Sequence, residues 1–85
     1  MTTEIITGAE LEVARFLARQ PSPEEILTFR LPDEMVARFY ALVDAEREGK
    51  VTRDETRELD TFLFIDHMMR LVKAEVQRRL SQQAS

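Results

Sequence analysis

Apolar residues recur at helical spacing along most of the chain, and proline and glycine divide the pattern into segments. In the first segment one face of a helix predicted over 9–19 contains Leu11, Ala14, Leu17 and Ala18, at spacings of three and four residues. Thr7 opens a capping-box pattern that predicts where this helix begins. Pro21 predicts where it ends.

A second start signal follows at once, because Ser22 precedes Pro23 and Glu25 stands three residues after the serine. It predicts a short helix over 23–28. Residues that precede a proline avoid the helical region, so we expect the chain before Pro32 to run extended. We call 23–31 the clasp and expect its apolar side chains to fill the core.

The remaining chain predicts two helices separated by Gly49. The first covers 33–48 and ends at the glycine in a left-handed cap. Thr52 begins a third capping box, and 53–80 contains no proline or glycine. We therefore predict one all-α domain over 9–80, with an N-terminal tail (1–8) and a C-terminal tail (81–85).

The most informative segment is 62–72, in which eight of eleven residues are large and apolar. On a helical wheel two stripes emerge. The first stripe contains Leu59, Phe62, Met69, Val72 and Val76; the second contains Phe64, Met68 and Leu71, on the opposite side, with Ile65 between the two. A helix that is apolar on two sides must be covered on two sides.

Two interpretations of this segment are open. Either the short helices wrap both stripes, or they cover the first stripe while the second forms an interface. We favour the interface, because a chain of 85 residues assembles only a small core. The predicted partner-binding residues are Phe62, Phe64, Ile65, Met68, Met69, Leu71 and Val72. We expect two short helices and the clasp to pack on a long C-terminal helix, in a helical-bundle homodimer.

Composition narrows the class of protein. The chain is 44% hydrophobic and 33% charged, and it contains no cysteine. Its charge is uneven: 8 basic and 15 acidic residues over 1–66 give −7, whereas 4 basic and 1 acidic over 67–85 give +3. No stretch approaches the roughly 18 apolar residues of a membrane span. We expect a cytoplasmic protein without membrane association, and the acidic body disfavours nucleic acid as the main partner.

One segment has the spacing of a calcium-binding loop. Acids at Asp44, Glu46, Glu48 and Glu55 surround Gly49 as in an EF-hand. The same residues also fit a helix end followed by a capping box, and glutamate is long for the early ligand positions. We keep a calcium-responsive module over 44–55 as an alternative and assign no metal or cofactor.

Catalytic chemistry is not indicated. The helical neighbours of His67 are Leu63, Phe64, Arg70 and Leu71, none of which is a metal ligand or a base partner. A packed or interfacial histidine is therefore the simpler interpretation. The basic end of the last helix suits the negative pole of the helix dipole, and contact with nucleic acid through it is a second alternative.

Several stretches resemble a group of small uncharacterised bacterial proteins, common in cyanobacteria. The matching stretches are 21–29, 47–52, 58–60 and 66–74, and the group's patterns are approximately PSPEEILxF, REGxLTxEExxELD and EHxxRLxKA. The resemblance implies a small helical protein, antitoxin-like or an accessory to a neighbouring nuclease. We therefore expect a non-enzymatic protein–protein interaction module.

Overall fold

Four α-helices account for most of the chain in the computed structural model, which describes residues 8–84. They are α1 (Gly8–Ala18), α2 (Pro23–Leu27), α3 (Asp33–Arg47) and α4 (Arg53–Gln83). Helices α1, α2 and α3 each pack against α4. The predicted all-α fold, with short helices on a long C-terminal helix, is confirmed.

Helix boundaries follow the capping signals. The Glu25 amide donates to Ser22 Oγ over 3.1 Å while Ser22 N–H donates to Glu25 Oε1 over 3.0 Å. Thr52 and Glu55 form the same pair at the start of α4. Each box satisfies two amides that a helix start would leave without partners.

Some boundaries differ slightly from the predictions. Helix α1 begins at Gly8, one residue early, and α4 continues to Gln83, three residues beyond the expected end. The predicted cap at Thr7 and the rest of the tail before Gly8 lie outside the described residues, as does Ser85.

The turn between α3 and α4 is a glycine cap. Gly49 has φ of +70°, and Lys50 N–H donates to the carbonyl of Ala45 over 2.9 Å while Gly49 N–H donates to Glu46 over 3.0 Å. This bond pattern is the Schellman motif. The turn directs α4 back along α3, as the contact between Phe39 and Phe62 shows, with ring centroids 5.7 Å apart.

The core lies along one side of α4. The buried side chains among the described residues are Ala9, Phe16, Leu42, Leu59, Phe62, Ile65 and Met69. The clasp reaches this core through Phe29, whose ring centroid lies 4.3 Å from that of Phe16. The molecule measures 51 × 34 × 19 Å, and its long dimension matches α4, since 31 residues at 1.5 Å make roughly 46 Å.

Candidate functional site: the outward face of the last helix

The two sides of α4 have different surroundings. Leu59, Phe62, Ile65 and Met69 recur every three or four residues and are buried against the other helices. The opposite side has no helix over it within the described chain. It faces solvent from Asp60 to Arg78.

Large apolar side chains occupy this exposed side. We call Leu63, Phe64, Met68 and Leu71 the α4 patch; their exposed fractions are 50%, 64%, 40% and 52%. They lie within about two and a half helical turns. Single exposed apolar residues are ordinary on a protein surface, whereas large exposed apolar patches are typical of interaction sites.

The structure divides the predicted partner-binding residues into two sets. Phe64, Met68 and Leu71 are exposed, as the second stripe of the sequence predicts. Phe62, Ile65 and Met69 are buried in the core, and Val72 is half-buried. Another molecule can therefore contact the first three residues directly, while the other four support the helix from inside.

Leu63 belongs to the patch but was absent from the predicted set. It lies about a quarter turn from Phe64 on the wheel, between the two stripes. Whether such a position is covered depends on where α1 and α3 lie, so the wheel alone does not resolve it. It is half exposed.

A shallow groove of about 490 Å³ lies beside the patch, between α1 and α4. Val13, Ala14 and Leu17 form its α1 side, and Phe64 and Ile65 contribute from α4. Leu17 is 48% exposed. The groove thus extends the apolar surface of the patch onto α1.

Acidic residues stand at the edge of this groove. Glu10 from α1 and Asp60 from α4 both line it. His67 is exposed on the outward face between Phe64 and Leu71, one helical turn from each. The outward face is therefore apolar at its centre and acidic at its N-terminal end.

The C-terminal end of the face is basic and internally paired. Arg78 Nε donates to Glu75 over 3.1 Å and Arg79 Nε donates to the same carboxylate over 3.2 Å. Hydrogen bonds from Arg78 and then Arg79 lower the pKa of Glu75 to about 2. Arg70 likewise pairs with Asp66 over 2.9 Å.

Lys73 has a structural role that the sequence interpretation missed. Its Nζ donates to the carbonyl oxygen of Phe29 over 2.9 Å, in a partly buried contact with the clasp. The signal was its register: it follows Met69 by one helical turn and so falls on the buried side of α4. Contact with nucleic acid through this basic end stays a prediction.

The segment with calcium-loop spacing forms a helix end and a helix start. Asp44 and Glu46 lie in the last turns of α3. The carboxylate of Glu55 accepts the Thr52 amide over 2.9 Å and lies 3.8 Å from Arg38. Within residues 8–84 no group of three or more His, Cys, Asp or Glu side chains is placed to hold a metal ion.

Comparison of the sequence and the structure with known proteins identifies no similar protein. No family model, no curated protein and no solved structure matches the chain. The resemblance to small bacterial helical proteins therefore stays a prediction. Among the described helices, none combines the length and apolar character needed to cross a membrane.

Proposed function

We propose that this protein is a non-enzymatic interaction module that associates through the outward face of α4, and that its occupant there is a second copy of the chain. The observation that carries the proposal is the exposure of the α4 patch, in which Phe64 is 64% exposed. The helix that bears the patch packs on the other helices through a buried stripe on its other side, so the patch needs no rearrangement of the fold to be available for contact.

Self-association suits the size and charge of the chain. A small core stabilises a domain weakly, and burying the patch on two copies adds apolar contact where the chain has none of its own. The acidic body and the basic terminus give each copy charges of both signs. A regulatory role toward a nuclease, which the resemblance implies, stays a prediction.

Light scattering coupled to size-exclusion chromatography tests the proposal. We expect the native chain to have twice the monomer mass at micromolar concentration. The variant Phe64→Glu with Met68→Glu should have the monomer mass, because charge at the patch opposes burial. Tyr40→Glu is the matched control: Tyr40 is 61% exposed but lies on α3, so this variant should stay dimeric.

Circular dichroism distinguishes loss of association from loss of folding. The patch variant should retain the helical spectrum of the native chain, since its substituted residues are exposed. A native chain that is monomeric throughout the micromolar range would contradict the proposal.

A further inference from the structure

Two of the patch residues, Phe64 and Leu71, belong to a longer line of exposed residues along the outward face of α4. Residues at alternating spacings of four and three along this face are all exposed: Asp60, Phe64, His67, Leu71, Ala74 and Arg78. The positions that a heptad would place on the far side, Phe62, Met69 and Val76, are buried or half-buried. This spacing is that of a helix-pairing seam.

The order of side chains along the seam is asymmetric. An acid stands at one end and a base at the other, with apolar residues and His67 between them. Asp60 and Arg78 are 18 residues apart, about 27 Å along the helix, so they cannot pair within one chain. Among residues 8–84 Asp60 has no ion pair, whereas Arg78 holds Glu75.

We infer that two copies pair through antiparallel α4 helices, about a two-fold axis at the level of residue 69, with Asp60 of each copy opposite Arg78 of the other. This inference rests on the proposed function and adds the geometry of the interface. The two-fold symmetry makes every contact occur twice.

The same register also places side chains of complementary size opposite each other across the interface. With Asp60 opposite Arg78, the large ring of Phe64 faces the small Ala74 of the second copy, and His67 faces Leu71. Large side chains opposite small ones let facing helices interdigitate. Met68 lies beside the axis and meets its own equivalent.

Charge favours this orientation over the parallel one. Parallel pairing would bring Asp60 against Asp60 and Arg78 against Arg78, which costs free energy at both ends. Antiparallel pairing also lays the terminus of charge +3 (67–85) against the first part of the other α4, where 2 basic and 5 acidic residues over 53–66 give −3. The acidic edge formed by Glu10 and Asp60 then receives the basic end of the second copy.

Disulfide trapping tests the orientation, since the chain has no cysteine of its own. The variants Asp60→Cys and Arg78→Cys are oxidised separately and as an equimolar mixture. We expect covalent dimers only in the mixture, each containing one copy of either variant by mass spectrometry. Covalent dimers formed by either variant alone would overturn the antiparallel register, and so would a noncovalent dimer with no trapping at all.

Charge reversal gives a second measurement that does not depend on disulfide geometry. Asp60→Arg should weaken self-association about tenfold, as measured by sedimentation equilibrium. The substitution places a positive charge opposite Arg78 at both ends of the interface. Adding Arg78→Asp in the same chain should restore the native dissociation constant. Failure of the second substitution to restore it overturns the register.

The two levels of proposal fail in different ways. If the native chain is a monomer by light scattering, both the self-association and its geometry are wrong. If the native chain is a dimer but trapping or charge reversal gives the opposite result, only the antiparallel register is wrong.

Discussion

Lys73 in α4 donates a hydrogen bond from Nζ to the main-chain carbonyl oxygen of Phe29, 44 residues earlier in the chain, over 2.9 Å. The Phe29 ring packs on Phe16 of α1. One lysine therefore holds the non-helical end of the clasp against the last helix, at the point where the clasp also meets the first helix.

Replacing Lys73 by methionine should destabilise the fold by about 1–3 kcal/mol. The methionine retains the length of the side chain, so the loss isolates the charged hydrogen bond and leaves the Phe29 carbonyl without its donor. Urea unfolding followed by circular dichroism measures the change. Lys50→Met is the control: Lys50 pairs with Glu48 at the surface, so its loss should change stability by less than about 0.5 kcal/mol. Equal losses for the two variants would contradict the role of Lys73.

Gly49 and Gln20 each follow the end of a helix with a left-handed backbone conformation, and substitutions at the two positions should change the stability in opposite directions. Gly49→Ala should cost about 1 kcal/mol, because a side chain is strained at φ of +70°. Gln20, after α1, has φ of 55°, so Gln20→Gly should stabilise the chain by about 0.5 kcal/mol. Thermal unfolding of both variants checks the pair, and stabilisation by Gly49→Ala would show that the turn has another conformation.

The ion pair between α3 and α4 should make stability depend on acid pH. Arg38 donates to Glu58 over 2.9 and 2.8 Å, and this hydrogen bond lowers the pKa of Glu58 below its ordinary value of 4.5. A lowered pKa in the folded state stabilises the fold above pH 4.5, and that contribution is lost as the pH falls through the folded-state pKa.

We expect Glu58→Gln to lower the free energy of unfolding by up to about 1 kcal/mol at pH 7. This value is that of an ion pair at the surface, because both side chains are partly exposed. The difference from the native chain should shrink as the pH falls below 4.5. A double-mutant cycle with Arg38→Gln checks the cause. A cost that is the same at pH 7 and at pH 3 would exclude the ion pair as its source.

Self-association predicts a melting temperature that rises with protein concentration. Between about 5 and 500 μM the native chain should gain several degrees, whereas Phe64→Ser should show no dependence. Tyr40→Ser, which removes a similarly exposed ring from α3, should keep the native slope. Parallel slopes for all three proteins would show that Phe64 takes no part in association.

Calcium should leave the melting temperature unchanged at about 1 mM. Asp44 and Glu46 are part of α3, and Glu55 is held by the Thr52 amide, so the three cannot converge on an ion without unwinding a helix end. Differential scanning fluorimetry measures the melting temperature with calcium and, as the control, with the same concentration of magnesium. A rise with calcium alone would favour the calcium-responsive alternative.

Local signals along the chain were sufficient for the helix boundaries. Ser22 and Thr52 begin helices because each can satisfy an exposed amide three residues later, and Gly49 ends one because only glycine adopts a left-handed conformation without strain. These preferences act over a few residues, so the sequence by itself determined four helices, a clasp and an unbroken last helix. It also determined that this helix is apolar on two sides.

Only the tertiary structure decided which of those sides the chain covers. Leu63 lies between the two stripes on the wheel, and the structure leaves it half exposed. Ile65, which the sequence analysis placed between the stripes, is three residues after Phe62 and four before Met69, and it is buried with them. The role of Lys73 likewise depended on the clasp returning to α4 from 44 residues away. Burial and long-range hydrogen bonds are set by the placement of separate helices relative to one another, which local periodicity does not encode.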